Sequence, residues 1–360
     1  MTTDPESRRV VGGVDTHKRT HHAAVLDAAT GKLLGDREFP ATRAGYRQLS
    51  RWLQRHGAVA QVGVEGTGSY GAGLQRHLQG EGVAVVEVVR PNRQARRARG
   101  KSDPIDAINA ARAVLSEEAA TTPKAREGFV EAVRLIRATR RSAAKARRAA
   151  LAQIHGLLWS GPEDLREKLG NYDRAALVAR CARLRIPTDG PADDPAVTAR
   201  RMLRRLAKRI QMLDEEIAEA NRELDTILKQ HAPTLLTING VGTEVAGQIL
   251  TTAGENTSRL TSEAALARLC GVAPIPASSG NTTRHRLHRG GDRAANSAVH
   301  MIVVNRLRWH APTRAYLERR TQEGKTKKEI IRCLKRAVVR ELYRALQADI
   351  QPPPRPLDAA

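Results

Sequence analysis

Apolar positions in the first third of the chain alternate between short continuous runs and segments with helical spacing. The continuous runs predict β-strands, the first two of them paired, at 10–14, 23–26, 62–64 and 83–89. Helical spacing predicts helices at 46–54, through Leu74 and Leu78, and from Asp103 onward. This order of strands and helices indicates a mixed α/β domain over residues 9–119.

The middle of the chain, residues 125–230, loses the strand pattern and is predicted to be helical. Apolar residues between 196 and 229 alternate steps of three and four, which is a heptad seam typical of a coiled coil. This seam pairs either with the preceding helix, about 127–159, in an antiparallel hairpin or with another subunit. The stretch 161–195, with scattered Pro and Gly, is expected to be a connector.

A third region, residues 232–347, is predicted to be a mainly helical domain, followed by a flexible tail at 348–360. Its opening segment contains Gly240-Val241-Gly242 between two apolar helical stretches, the pattern of a helix-hairpin-helix element. In such elements a glycine turn presents backbone N–H groups to a phosphate. Packing alone also explains many glycine turns of this kind.

The net charge of the chain bears most strongly on its predicted partner. The formal net charge is +23, from 61 Lys+Arg against 38 Asp+Glu, and it is spread along the chain. Such an excess favours a polyanionic partner, and we expect double-stranded DNA held through its phosphates, with Gly240 and Gly242 among the contacts. Aromatic residues are only 3%, which argues against a single-strand binder built on stacking rings.

Composition also bears on location and redox state. No apolar stretch approaches the roughly 20 residues of a membrane-spanning helix, so we expect no membrane partner and a cytoplasmic, nucleoid-associated protein. The three cysteines, Cys181, Cys270 and Cys333, are far apart and odd in number. They indicate neither a disulfide framework nor a zinc site.

Two basic segments are candidate nucleic-acid surfaces. On the helix at 127–159, cationic residues recur at three- and four-residue steps and are expected on one face; they are Arg134, Arg137, Arg141, Lys145 and Arg148. A basic loop follows the last predicted strand of the α/β domain and contains Arg93, Arg96, Arg97, Arg99 and Lys101. A solvated helix face is the ordinary alternative for the first set, but few acidic residues interleave it.

Four acidic residues carry the candidate chemistry. Asp15 and Glu65 end predicted strands, and Asp103 and Asp106 stand three apart at the start of a helix, on one face. Together they offer the oxygen ligands that Mg²⁺ or Mn²⁺ prefers. Asp103 has an ordinary alternative role as a helix N-cap, with Pro104 at the first helical position.

The chain resembles the DEDD transposases of bacterial insertion sequences, the one-ten family. The resemblance rests on Gly13-Val14-Asp15-Thr16-His17-Lys18, Glu65-Gly66-Thr67-Gly68-Ser69-Tyr70 and Lys101-Ser102-Asp103-Pro104-Ile105-Asp106-Ala107. In the C-terminal half it continues through Gly271-Val272-Ala273-Pro274, Ser279-Gly280 and Gly324-Lys325-Thr326-Lys327-Lys328-Glu329-Ile330. The chain departs from the family at Asp292-Arg293, where members commonly have Leu-Arg.

The resemblance implies a ribonuclease-H-like, resolvase-like N-terminal domain whose four acids bind divalent metal. It also implies a serine in the C-terminal domain, here Ser279 or its neighbour Ser278, that attacks DNA to form a phosphoserine intermediate in a composite site. Arginines around it are expected to bind phosphate; they are Arg284, Arg286, Arg289 and Arg293. Family members are guided by an element-encoded RNA, so the resemblance implies a guide RNA here. From the heptad seam we expect a homo-oligomer, a dimer or tetramer.

Two other function classes stay open on the sequence. A Holliday-junction-type endonuclease would use the same acids to activate water and would not need Ser279. A non-enzymatic nucleic-acid scaffold would use the carboxylates only as helix caps. Asp15→Ala and Ser279→Ala distinguish the three hypotheses, because each hypothesis assigns a different role to these side chains.

Overall fold

A computed structural model describes residues 8–88, 102–116, 120–187, 193–256, 260–280, 285–288 and 290–350. The chain divides into two units, the first formed by residues 1–126 and 254–261 and the second by residues 127–253 and 262–360. The predicted basic loop at 90–101 lies outside the described residues, and so do Arg284, Arg289 and the tail beyond residue 350.

The first unit is built on a six-stranded mixed sheet with the order β3-β2-β1-β4-β5-β6. Its strands are β1 (Arg9–Thr16), β2 (Thr20–Asp27), β3 (Leu33–Pro40), β4 (Ala58–Glu65), β5 (Val85–Val88) and β6 (Ala120–Thr121). Its helices are α1 (Arg43–Gln54), α2 (Ala72–Gly80) and α3 (Asp103–Leu115). The predicted α/β architecture is confirmed. Strand β3 was not predicted, because most of its side chains are exposed and it has no continuous apolar run.

The central strand β1 has a helix layer on each face. Val10 and Val14 pack into a core with residues of α1 and α2, whereas Val11 packs with residues of α3. Alternate side chains of a strand point to opposite faces, so Val11, Gly13 and Asp15 all face α3. This alternation directs Asp15 toward the start of α3.

Glycine lets α3 lie unusually close to the sheet. A methyl group on Gly13 would lie 2.2 Å from the backbone nitrogen of Ala111 and 2.3 Å from the carbonyl oxygen of Ala107. On the neighbouring strand, a methyl group on Gly63 would lie 2.8 Å from the carbonyl oxygen of Ala110. Any larger residue at Gly13 would therefore push the helix backbone away from the sheet.

The second unit begins with two long helices, α4 (Gly128–Ser160) and α7 (Pro195–His231). They run antiparallel, because Phe129 stacks on His231 at one end while Arg147 pairs with Asp214 nearer the other. The heptad segment thus pairs with the preceding basic helix, one of the two expected arrangements. The expected connector instead contains two helices, α5 (Glu163–Leu169) and α6 (Arg174–Ala182), whose apolar residues complete a core with α4 and α7.

The remainder of the second unit is mainly helical, as predicted. It comprises α8 (Pro233–Thr237), α9 (Thr243–Ala253), α10 (Glu263–Leu269), α11 (Arg293–Trp309), α12 (Ala311–Gln322) and α13 (Lys327–Asp349). Between α10 and α11 lies a short antiparallel hairpin of β7 (Pro274–Pro276) and β8 (His285–Leu287), which was not predicted. Within the described part of the chain, no helix has the length and apolarity needed to cross a membrane.

Candidate active site

Strand register brings two of the predicted acids to the same edge of the sheet. Val14 of β1 pairs in parallel with Val64 of β4, so Asp15 and Glu65 follow side by side where the two strands end. The hydroxyl of Thr16 donates a hydrogen bond to the carbonyl oxygen of Glu65 at 2.8 Å. This bond fixes the two strand ends to each other just beyond the acids.

Helix α3 brings the other two acids to this edge. Asp103 and Asp106 both lie in its first turn, and Asp106 is 1% exposed. The N-cap is Ser102, not Asp103, so the alternative in which Asp103 caps the helix is wrong by one residue. Asp103 is instead the first helical residue, which leaves its carboxylate available for the site.

Three side chains meet closely at the strand edge. The Nε2 atom of His17 lies 3.2 Å from a carboxylate oxygen of Asp15 and 3.3 Å from one of Asp103. One ligand atom from each of the three lies within 4.8 Å of the others. His17 belongs to the motif Gly13-Val14-Asp15-Thr16-His17-Lys18 but was not predicted to join the acids. Its position two residues after Asp15, beside the strand end, was the available indication.

Burial dominates the electrostatics of Asp15. It raises the pKa of the carboxyl above its ordinary value of 3.8, while His17 lowers it and the nearby Asp106 and Asp103 raise it further. A carboxylate whose charged form is disfavoured by burial and by neighbouring carboxylates is stabilised by a cation placed among them.

The donor set fits a divalent metal ion. Carboxylate oxygens from Asp15 and Asp103 suit Mg²⁺ and Mn²⁺, and the imidazole of His17 adds a nitrogen that transition metals accept. Asp106 lies close enough to raise the pKa of Asp15, and one carboxylate oxygen of Glu65 is buried beside the strand end. The first unit therefore gathers a candidate metal site from residues of β1, β4 and α3.

The predicted serine belongs to the second unit. Ser278 and Ser279 follow β7 and are both exposed, and Gly280 next to them has a left-handed backbone with φ 55°. Residues 281–284 lie outside the described part of the chain, and β8 begins at His285. Ser279 thus stands near the tip of a hairpin, on a surface open to solvent.

The base of this serine hairpin is tightly held. The side-chain amide of Asn296 donates to the carbonyl oxygens of Cys270 at 3.0 Å and Gly271 at 2.9 Å, and Lys335 donates to the amide oxygen of Asn296 at 2.5 Å. A methyl group on Gly291 would lie 2.2 Å from the nitrogen of Gly271. The two ends of the hairpin segment therefore touch each other.

A polar network continues from the hairpin base to α4. Asp292, where the chain departs from the family, is the N-cap of α11 and also accepts a hydrogen bond from Thr252 at 2.7 Å. Gln248 donates to Thr252 at 2.9 Å and accepts from Arg137 at 2.8 Å. The departure at Asp292 thus has a structural role in this chain.

The prediction that Arg137 belongs to the exposed cationic face of α4 is wrong. Its side chain is 4% exposed and pairs with Glu244 at 2.8 Å, so it lies on the buried side of the helix. Arg134 is half-buried and pairs with Glu131. Arg141, Lys145 and Arg148 are exposed and line one shallow groove.

The remaining predicted nucleic-acid contacts lie in the second unit. Gly240 and Gly242 form the turn between α8 and α9; Gly240 needs its left-handed φ of 83°, and Gly242 faces open space. Arg286 on β8 and Arg293 at the start of α11 are exposed.

Sequence comparisons identify relatives of both units. Residues 12–160 match a family described as "Transposase", the DEDD group, and residues 232–318 match the "Transposase IS116/IS110/IS902 family". The chain is 26% identical over 185 residues to the "Insertion element IS900 uncharacterized 42 kDa protein" of Mycobacterium paratuberculosis. It is 30% identical over 146 residues to the "Insertion element IS110 uncharacterized 43.6 kDa protein" of Streptomyces coelicolor. These matches cover 51% and 39% of this chain, and less than half of each relative, 46% and 36%.

Proposed function

Because this chain belongs to the IS110 family of insertion-element transposases, we propose that it cuts and rejoins DNA strands as the transposase of such an element. The observation that carries the proposal is the cluster of Asp15, His17 and Asp103 at the sheet edge. It gathers metal-binding side chains from segments far apart in the sequence. Glu65 and Asp106 lie on elements that end or begin at the same sheet edge, which supports a four-acid, ribonuclease-H-like metal site formed with Asp15 and Asp103.

In the proposed reaction the four acids bind metal and the serine is the nucleophile. Asp15, Glu65, Asp103 and Asp106 would hold Mg²⁺ or Mn²⁺, which supplies Lewis-acid stabilisation of charge on the phosphate oxygens. Ser279 would attack phosphorus, so that an Oγ–P bond forms as the bond to the leaving sugar oxygen breaks. Its hydroxyl proton passes to a base or water, and the departing oxygen takes up a proton. The hydroxyl of a new strand then attacks the phosphoserine, so that a sugar O–P bond forms as the Oγ–P bond breaks; that hydroxyl gives up its proton and Oγ of Ser279 takes one up, which rejoins the DNA and restores the serine.

Charge and composition support a nucleic-acid assembly as the substrate. The excess of 61 Lys+Arg over 38 Asp+Glu favours backbone contacts with DNA element ends and target, and few aromatic residues are available to stack bases. A guide RNA that pairs with DNA would read the sequence while the protein holds the backbone. We propose this RNA partner and a dimer or tetramer as parts of the same function.

The decisive experiment looks for a covalent protein–DNA adduct. The full chain is incubated with element-end DNA, RNA transcribed from the element, and Mg²⁺ or Mn²⁺, and adducts are resolved on denaturing gels. We expect an adduct with the wild-type protein, none with Ser279→Ala, and a loss of at least about 100-fold with Asp15→Asn. Ser278→Ala is the matched control and should retain the adduct if Ser279 is the nucleophile.

A second candidate function follows from the position of the metal cluster. The acids gather within the first unit alone, which is what a structure-specific endonuclease that activates water would need. In that case Ser279→Ala would still cut a four-way DNA junction, and Asp15→Asn would not. Cutting by the serine variant at the wild-type rate would replace the phosphoserine proposal with this one.

A further inference from the structure

Arg126, near the end of the first unit's main segment, has an unusual backbone. Among the residues that the structure describes, it is the one non-glycine residue in the left-handed region, with φ 57°. A side chain with a Cβ disfavours this region, and such outliers cluster at binding and catalytic sites when neighbouring contacts hold them in place.

The segment before Arg126 is anchored by side chains on two sides. The amide group of Asn256 donates to the carbonyl oxygen of Pro123 at 2.8 Å and accepts from the backbone nitrogen of Ala125 at 3.3 Å. Gln75 of α2 donates to the carbonyl oxygen of Lys124 at 2.7 Å. These bonds fix the three residues before Arg126 and so set the direction in which its side chain leaves the backbone.

That direction brings the guanidinium onto the glycine turn that follows Glu65. A methyl group on Gly68 would lie 2.9 Å from Nη2 of Arg126, so the group rests directly on the backbone of the turn. The first glycine of the same turn, Gly66, is packed against Thr16: a methyl group on it would lie 3.2 Å from the Thr16 hydroxyl. Arg126 therefore lies beside the strand ends that carry the acids.

The guanidinium is not used to neutralise those acids. It is half-buried, yet it makes no ion pair or hydrogen bond with the part of the chain that the structure describes. An arginine offers five N–H donors in a planar fork that matches the oxygens of a phosphate. A guanidinium held on a glycine turn, with no such partner among the described residues, is arranged for an anion that comes from outside.

We propose that Arg126 binds a phosphate of the DNA backbone beside the metal-binding acids. The inference rests on the proposed function, because it takes DNA as the substrate of that site. Gly68 leaves room for the guanidinium on the turn, and Tyr70 on the same turn is 55% exposed and offers an apolar surface to a DNA strand. The left-handed backbone holds the cation on the turn that follows Glu65.

The test measures DNA affinity against salt concentration in EDTA, so that it is independent of metal and catalysis. The probe is a fluorescently labelled linear duplex, and the variants are Arg126→Gly, which suits the backbone but lacks the cation, and Arg126→Lys, which keeps the charge. We expect Arg126→Gly to raise Kd about tenfold, as for one lost charge-assisted hydrogen bond. Its log–log salt slope should become shallower by about 0.9, one phosphate contact.

Controls separate a binding role from a structural one. Arg126→Gly should keep or raise Tm, because glycine accepts φ 57° without strain, and Arg126→Lys should keep the wild-type slope. Arg47→Ala removes an exposed arginine of α1 and should leave Kd and slope near wild type. A wild-type Kd and slope for Arg126→Gly would overturn the inference, as would a lower Tm with equal losses in both Arg126 variants. Failure of the wild-type protein to bind the duplex would instead overturn the proposed function.

Discussion

The acid site and the serine hairpin are positioned by different means. At the acid site, parallel strand register and the close approach of α3 over Gly13 place the carboxylates, and the backbone does the positioning. At the serine hairpin, the base is held by side-chain hydrogen bonds from Asn296, continued through Asp292 and Gln248. The acid site should therefore be disrupted by substitutions that add atoms at a glycine, and the serine hairpin by substitutions that remove a hydrogen-bonding side chain.

The two regions also differ in exposure. Asp15 and Asp106 are 7% and 1% exposed, whereas Ser279 is open to solvent beyond the held base of its hairpin. Carboxylates held in place by the backbone, two of them buried, would be preorganised for a cation before any substrate arrives. An exposed side chain at a hairpin tip, by contrast, is free to be fitted to a partner that binds there.

The largest expected effect is that of adding one carbon at Gly13. In Gly13→Ala the new methyl group would meet the backbone of α3 at 2.2 Å, and backbone cannot move aside cheaply. We expect a loss of about 3 kcal/mol or more in the free energy of unfolding, and loss of metal binding, measured by urea unfolding and by Mn²⁺ titration.

Gly156→Ala is the matched control for that substitution. Gly156 lies within α4, and a methyl group there would meet nothing within 4 Å. It should stabilise the protein by about 0.5–1 kcal/mol, because alanine favours the helix. Equal stability of Gly13→Ala and wild type would contradict positioning by backbone packing.

The packing of α3 against the sheet also shows which features of the acid site could be predicted from the sequence and which could not. The strands at Val10–Val14 and Val62–Val64 were predictable from their apolar runs. Asp15 and Glu65 were predicted from their places at strand ends, and Asp103 and Asp106 from their spacing at the start of a helix. Gly13 and Gly63 were not predicted to contact a helix. A glycine in a strand indicates that another part of the backbone comes close, but it does not identify which element this is. His17 was missed because its role depends on how α3 docks, which no local pattern states.

The substitution Arg137→Ala tests how much the side-chain hydrogen-bond network of the second unit contributes to stability. Arg137→Ala removes a buried guanidinium that binds both Glu244 and Gln248, and leaves a cavity against α9. We expect a loss of about 2–3 kcal/mol, because buried polar partners lose their bonds while Glu244 keeps access to water. Urea unfolding of the full chain measures it.

Arg141→Ala distinguishes this buried role from the exposed face of the same helix. Arg141 lies four residues on and is exposed, so its loss should leave stability within about 0.5 kcal/mol of wild type. It should instead weaken DNA or RNA binding. The sequence could not separate the two arginines, because Arg137 falls on the basic stripe by spacing and only its partner Glu244, far along the chain, makes it a core residue.

The substitution Asn296→Ala tests whether the hydrogen bonds at the base of the serine hairpin position its tip. Asn296→Ala removes two hydrogen bonds to backbone carbonyls and the acceptor for Lys335, with an expected loss of about 1–2 kcal/mol. A spin label on Ser279→Cys, in a Cys333→Ser background, should become more mobile, while Mn²⁺ affinity should not change. Asn221→Ala removes the acceptor of a hydrogen bond from Arg140, between α4 and α7, and should leave the label unchanged. An unchanged spectrum in Asn296→Ala would show that the base does not position the tip.

Asp15 gives the smallest expected effect on stability, and its sign depends on pH. Burial raises the pKa of Asp15, so the folded state disfavours its charged form; this penalty is absent below the unfolded pKa and present above the folded one. In EDTA at neutral pH, Asp15→Asn should therefore have a higher Tm than wild type, and the difference should shrink as pH falls toward the ordinary value of 3.8. Added Mn²⁺ should raise the Tm of the wild type more than that of the variant.

Asp27, at the end of β2 in the same sheet, should behave in the opposite way. Hydrogen bonds from Thr30 hold its pKa below the ordinary value, so its contribution to stability is present at neutral pH and is lost as pH falls through the folded pKa. Asp27→Asn should lower Tm at neutral pH, with a difference that shrinks in acid, and Mn²⁺ should stabilise this variant as it does the wild type. Opposite signs for two aspartates of one sheet would separate a carboxylate built for a cation from one built into a turn. A Tm response of Asp15→Asn to Mn²⁺ equal to that of Asp27→Asn would place the ion elsewhere.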